Sequence, residues 1–379
     1  MLAAFYFALW KRCVPLVLIG SGALAARVLL LWQAPGDDIY RYIWEGQSLL
    51  HHINPYLHAP DAVELTPLRD AIWESVQHRT FTAIYPPMAE WAFALIALIS
   101  PSVFFFKIVF ASADLLAGGL LWRRYGGQAA LLYLWNPLVI YSFAGGGHYD
   151  SLFVLALVLG WLSWRSGHVR RASLWMGAAV AIKWIALPLV AWMVWRVLRQ
   201  RGFRVAFATG LISLLPFGLA WAAVGLWTGE WTAQLIPPLF SQYARSAEFI
   251  PAVVGCLWEK SKYANQLFVL PLAIAWAAVI LRARSIEAAA RWIFFLALIF
   301  TPMLHAWYFT WIIPFAVKTR NLGVLLLTAS GFTYFLLYHH VESPGGMWRL
   351  SPLETALLWL PFASGFLWSE WRRRVLLAT

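Results

Sequence analysis

The sequence predicts an all-α membrane protein, a polytopic bundle of about 12 transmembrane helices. Three observations carry that reading. Of 379 residues, 61% are hydrophobic and only 12% charged, too few charges to cover a soluble domain of this size. Apolar runs of spanning length recur from one end of the chain to the other. The 25 Trp and 14 Tyr suit a protein with two membrane interfaces, where amphipathic rings settle.

Charge orients the spans. Segment 14–33 is the first, and Lys11 and Arg12 before it place the N-terminus in the cytoplasm and Asp37 outside. Ala23-Leu24-Ala25 has the A-x-A form of a signal-peptide cleavage site. The apolar run continues to Trp32, so an uncleaved span is expected. The run 86–100 falls short of the roughly 20 residues a span needs. It opens on two prolines and meets Pro101. It reads as a re-entrant or interfacial helix within a long outer loop, 34–102.

Span 103–122 then runs inward to Arg123 and Arg124. Span 128–143 runs out, and 150–164 returns to Arg165, Arg170 and Arg171. A short pair, 172–183 and 184–198, goes out to Lys183 and back to Arg196 and Arg204. Span 205–226 leads to a second outer loop, 227–264. Spans 265–281, 288–303, 306–317, 321–338 and 352–369 finish inside at Arg372-Arg373-Arg374. Most Lys and Arg thus gather on the cytoplasmic side and nearly all acids outside. The net charge of +12 is an orientation signal that needs no nucleic acid. The two cysteines, Cys13 and Cys256, fall on opposite sides and are not expected to pair. Arg27 and Asp114 lie within spans, where a charge is costly unless paired or functional.

The outer loops hold the candidate chemistry. Directly after the first span stand two adjacent carboxylates, Asp37 and Asp38. On a helix over 38–50, Ile39, Ile43 and Leu50 share one face and Asp38, Arg41, Tyr42 and Glu45 another. This predicts an amphipathic helix at the outer surface, capped by Asp37. One cap explains only one carboxylate. A pair beside Arg41 suits a general base with a phosphate binder, while Arg41 alternatively pairs with Asp37 or Glu45. His148 and Asp150 follow three glycines at a helix start, as turn residues or as part of a site. Lys183, between two short apolar runs, either snorkels or holds a lipid phosphate as a point charge. Arg245 and His305 are candidates of the same kind. His339, His340 and Glu342 share an outer loop but offer too few ligands for a metal site.

The order of several stretches resembles the GT-C class of polytopic glycosyltransferases, and within it the bacterial polyprenol-phosphate-mannose-dependent mannosyltransferases. The stretches are "DDIYRYIWEGQSLLHHINPY", "IYPPMAEWAFAL", "KIVFASADLLAG", "LYLWNPLVIYSFAGGGHYDSL" and "GAAVAIKWIALPL", over roughly the first 200 residues. Tyr149 and Glu45 depart from the commonest relatives. The resemblance implies a catalytic N-terminal module, 1–226, and a variable C-terminal transmembrane module, 227–379. It implies a catalytic Asp at Asp37 or Asp38, with the D-x6-W spacing to Trp44 favouring Asp37. Arg41 and Lys183 would hold the lipid phosphate. His148 and Asp150 would line the same cavity. Tyr42, Trp44, Glu45, Tyr56 and Tyr85 would line the sugar or acceptor pocket, each of the aromatics being equally an interface anchor.

The expected reaction moves a hexose, mannose by family weight, from a polyprenyl-phosphate sugar to a lipid or cell-envelope glycan. It inverts the anomeric centre and takes place at the outer face of a bacterial cytoplasmic membrane, with both termini inside. No cofactor or divalent metal is implied. A transporter or flippase of a lipid-linked sugar is the rival, but it would more often show repeat symmetry and mid-bilayer charges.

Overall fold

A computed structural model of the chain describes residues 14–235, 242, 244–342 and 347–376. Lys11, Arg12 and Cys13, and the orientation and pairing expected of them, lie outside the described residues. Cys256 is an exposed free thiol. Among the described residues the regular structure is helical, apart from one isolated bridge between Ser246 and Met303.

Helices of seven residues or more are numbered in chain order. They are α1 (Leu16–Leu30), α2 (Asp38–Leu50), α3 (Pro87–Ile99), α4 (Val103–Tyr125), α5 (Gly127–Leu134), α6 (Asp150–Arg165), α7 (Val169–Ile182) and α8 (Leu187–Arg201). There follow α9 (Phe203–Thr228), α10 (Ile250–Leu257), α11 (Val269–Arg282), α12 (Ile286–Phe300), α13 (Leu322–Ser330), α14 (Leu336–Glu342) and α15 (Pro352–Leu376). Four stretches are long and apolar enough to cross a membrane: Val103–Tyr125, Phe203–Thr228, Asn265–Arg282 and Leu322–Glu342. With its scarce charge, this makes the chain a helical membrane protein.

Local sequence sets the breaks. Ser102 caps α4 by accepting from the Phe105 N–H. Asn136 caps the short turn Pro137–Ile140 by accepting from Leu138 and Val139, and a π-turn over Tyr141–Gly145 follows. The run expected as span 128–143 is therefore broken. The run expected as span 306–317 is instead a 3₁₀ turn, Ala306–Trp311, and a short turn, Ile313–Ala316. Pro314 has no N–H to continue a helix through 306–317 and stands in the first turn of the short helix Ile313–Ala316. At 13 residues, α3 is about 20 Å long, short of the ~30 Å hydrocarbon core.

Helix α2 corrects an expectation. It does not lie on the surface with a wet polar face: Arg41, Tyr42 and Glu45 are as buried as Ile39 and Ile43. It packs against α3, and Gly46 permits the approach, since a Cβ there would come within 2.6 Å of the Phe93 backbone. The polar groups go inside because they find partners there. Deeper in the bundle, Arg27 Nε donates to Asp114 at 2.6 Å and Arg27 Nη1 to the Leu134 carbonyl at 2.7 Å. Arg291 pairs likewise with Glu370 at 2.8 Å.

Chain direction separates two ends. Helix α6 runs from Asp150 to Arg165, α7 returns from Val169 to Ile182, and the two pack together. Helix α8 runs from Leu187 back to Arg201, beside the start of α9. Asp150 and Lys183 therefore share one end, while Arg165, Arg170, Arg171, Arg201 and Arg204 share the other. Three hollows open among the arginines of α6–α9, α11, α12 and α15, of about 220, 640 and 660 Å³. The carboxylate pair that follows α1 belongs to the opposite end.

Candidate active site

The Asp37–Asp38 corner is held from two sides. Lys107, fully buried in α4, donates its Nζ to the carbonyls of Leu30, Leu31 and Gln33 at 2.8–2.9 Å. It fixes the exit of α1 by satisfying the carbonyls a helix end leaves orphaned. The Gly36 N–H then donates to the Gly146 carbonyl at 2.9 Å, tying the corner to the glycine run. Gly147 has φ +73, and a Cβ on it would strike Ile39 at 2.6 Å, so this contact requires glycine. Asp37, exposed, accepts from the Asp38 N–H at 3.1 Å. Asp38 keeps about a third of its side chain accessible, at 33%. Surrounding protein and then the Asp37 charge push its carboxyl up to about 7, against the pull of Lys183 and Arg41.

The glycine run delivers His148 to this corner. Its Nδ1 stands 3.8 Å from Asp38 Oδ2, with no hydrogen-bond partner. Burial, then His305 and Lys183, lower its pKa and keep it neutral. Its ring stacks on Trp307 at 3.5 Å, and Trp307 stacks on His305 at 4.5 Å. Nδ1 of His305 shares a hydrogen bond of 2.7 Å with the Tyr334 hydroxyl. Two residues after His148, Asp150 opens α6 and is fully buried. One of its oxygens accepts from Lys183 Nζ and from Trp311 Nε1, both at 2.6 Å; the other has no partner. Lys183 stands where α7 breaks into extended backbone, its ammonium 4.5–5.0 Å from the ring centres of Tyr149, Tyr308 and Trp311. The result is a neutral imidazole, a caged ammonium and a stack of aromatic rings gathered behind the partly accessible Asp38 carboxylate, whose exposed edge is the mouth of the candidate site.

The structure sorts the remaining candidates. Tyr42 reaches the mouth, its hydroxyl 3.4 Å from Asp38 Oδ2, and its ring packs against Tyr85 and Tyr149. Arg41 points the other way: Nε donates to Glu45 and the remaining N–H groups to the carbonyls of Gln77, His78, Phe81 and Thr82. Glu45 packs against that guanidinium and is 2% exposed. Trp44 packs in a separate cluster with Leu65 and Val76. Tyr56 gives its hydroxyl to the Tyr85 carbonyl at 2.7 Å. Arg245 is bound to the Ser261 carbonyl and faces Glu248 at 3.8 Å. Its chain neighbour Ser246 pairs through the backbone with Pro302 and Leu304, beside His305. His340 pairs with Glu354. Among the described residues no group of His, Cys, Asp or Glu is placed to hold a metal ion.

Sequence reasoning missed Lys107, Trp307, Tyr308, Trp311 and Tyr334. The dense aromatic run "HAWYFTW" at 305–311 and a lone lysine inside an apolar stretch were the available signals. Both looked like ordinary span text.

Comparison with known proteins decides the family. Residues 2–199 match the family described as alpha-(1->6)-mannopyranosyltransferase, N-terminal domain, just over half of the chain. The chain belongs to that family. It is also 26% identical over 376 residues to alpha-(1->6)-mannopyranosyltransferase A of Mycobacterium tuberculosis, covering 84% of this chain and 70% of the relative. The protein is thus a membrane glycosyltransferase of the mannosyltransferase kind. The matched stretch contains Asp37, Asp38, His148, Asp150 and Lys183. The aromatic wall from His305 to Trp311 lies beyond it and closes the same mouth.

Proposed function

We propose that the protein transfers mannose from a polyprenyl-phosphate donor to a hydroxyl of a lipid or cell-envelope glycan at the outer membrane face. The observation that carries this is the convergence of Asp38, His148, Asp150 and Lys183 on one mouth walled by Trp307 and His305. In this reading Asp38 is the general base. Its carboxyl faces the mouth and is poised near neutral pH, while Asp37 caps the helix and raises it. The sequence spacing favours Asp37; the geometry favours Asp38.

The step is a single displacement. Asp38 takes the acceptor's hydroxyl proton, and that oxygen bonds the anomeric carbon opposite the phosphate. The bond from carbon to phosphate oxygen breaks, and the lipid phosphate leaves with the electron pair. Lys183, with His305 nearby, meets its charge. The phosphate is already a good leaving group, so no general acid is needed. Inversion turns a β-linked donor into an α-linked product, in keeping with the linkage named for the family. The unpartnered Asp150 oxygen suits a sugar hydroxyl. Residues 1–226 then supply the base and the cation, and 227–379 the aromatic wall. About 12 passes, with both termini inside, remain our reading of the charge pattern.

Membranes bearing wild type, Asp37→Asn or Asp38→Asn, matched for folded protein, are given labelled polyprenyl-phosphate mannose and envelope acceptors. Asp38→Asn is expected to lose transfer by about 10²–10⁴-fold, the usual contribution of a general base, and Asp37→Asn far less. Full activity in both would sink the assignment of this corner. Labelled sugar crossing a liposome wall while still joined to its lipid, with no transfer, would make the protein a flippase.

A further inference from the structure

We infer that the groove between the starts of α7 and α9 is a binding site for the phosphodiester headgroup of an anionic phospholipid. It lies at the end of the bundle opposite the catalytic mouth. The groove has a volume of about 660 Å³ and brings Arg170 and Arg171 of α7 together with Arg201 of α8 and Arg204 of α9. Its lining contains no Asp or Glu. All four arginines are exposed, and none makes an ion pair or a side-chain hydrogen bond among the described residues. The two neighbouring hollows each include a glutamate, Glu287 in one and Glu370 in the other.

The orientation signal accounts for basic residues at this end but not for their convergence. Loop arginines would serve that purpose spread apart, where they repel less. Here three of the four sit in the first turn of a helix, the end where the helix dipole disfavours cations. Neither α7 nor α9 has an acidic residue in its first turn to offset them. Such a cluster is complete only with an anion in it.

The rest of the lining says what carries the anion. Below the arginines the groove is floored by apolar side chains, Val205, Ala208 and Ile212 of α9. Helix α9 is long and apolar enough to span, and beside the groove it turns Phe207, Leu211 and Leu215 outward, 57%, 50% and 49% exposed. A headgroup among the guanidiniums would lay its acyl chains along that face. Soluble phosphate would meet the charges but leave the wall uncovered. A phosphodiester between arginines gains bidentate hydrogen bonds, and each nearby basic residue adds roughly 1 kcal/mol of attraction to an anionic lipid.

The test is lipid retention by the full chain in phosphatidylcholine nanodiscs titrated with phosphatidylglycerol, read by native mass spectrometry of the protein released from the discs. Wild type should retain phosphatidylglycerol over phosphatidylcholine, less so as salt rises. Arg170→Gln/Arg171→Gln and Arg201→Gln/Arg204→Gln each remove two such residues and should each lose about thirtyfold in retention, on that scale. Arg282→Gln/Arg284→Gln, in the neighbouring hollows, should change it by less than about twofold. Using two half-site variants keeps the test valid where one fails to insert. Equal losses in all three variants, no loss in any, or stronger retention of polyprenyl phosphate than of phosphatidylglycerol at these arginines would each overturn the assignment.

Discussion

Arg41 and Lys183 look alike in the sequence: each is a lone cation near an expected outer helix junction, and each is a candidate for the lipid phosphate. In the folded chain they differ in what their N–H groups do. Arg41 places all of them inside the protein, on Glu45 and on four carbonyls of residues 77–82. It ties that segment to α2 and has no donor left for a ligand. Lys183 has one carboxylate partner, Asp150, and otherwise faces three aromatic rings that attract its charge without taking its protons. A cation becomes a binding group when its partners leave donors over. That count separates staple from site where residue type cannot.

The largest effect expected is on the staple. Arg41→Met should destabilise the protein by about 3–5 kcal/mol, because it leaves Glu45 buried without its counter-charge. Arg41→Met/Glu45→Gln should recover little, since four carbonyls stay orphaned. Thermal unfolding in detergent reads both, and a stable, fully active Arg41→Met would break the comparison. Lys183 should behave differently. Lys183→Met also strands a buried carboxylate, Asp150, and lowers stability. Adding Asp150→Asn removes that charge and should restore most of the unfolding midpoint. Transfer should remain depressed by about 10²-fold, the scale of losing one charge-stabilising group. If the double variant regains activity along with stability, Lys183 is a staple as well.

Much of this was legible in the sequence because it rests on local physics. Apolar run length placed most helices, and α3 has the short length expected of a non-spanning helix. The placement of Arg27 and Asp114 within spans raised a pairing that the structure shows at 2.6 Å. The Asp37 cap follows from chain-local geometry. What failed depended on partners distant in sequence. The amphipathic pattern of α2 points to a wet face, yet Arg41 and Glu45 go inside because residues 77–82 arrive to receive the arginine. Proximity in the chain groups Trp44 and Tyr56 with Tyr42, but they pack elsewhere. The aromatic run 305–311 comes within reach of Asp150 and His148 only through tertiary packing, more than 150 residues along the chain.

The smallest effect bears on the charges that tune Asp38. A base must be deprotonated to accept the acceptor's proton. Its carboxyl stands near 7, so transfer should be weak at pH 5.5, rise through about 7 and level off above 8. Asp37 raises that value by repulsion; Asp37→Asn should therefore lower it and move the rising limb to lower pH. Water and salt screen an exposed neighbour, so the shift should be up to about one unit. The ratio of activity at pH 6 to that at pH 8 should thus be higher in Asp37→Asn than in wild type. No transfer by Asp37→Asn at any pH would make Asp37 the base. Lys183 pulls the same carboxyl down and Asp150 pushes it up. The double variant that removes both should leave the limb nearly in place while the rate stays low. A slow enzyme with an unmoved pH limb would separate substrate binding by the Lys183–Asp150 pair from proton transfer by Asp38.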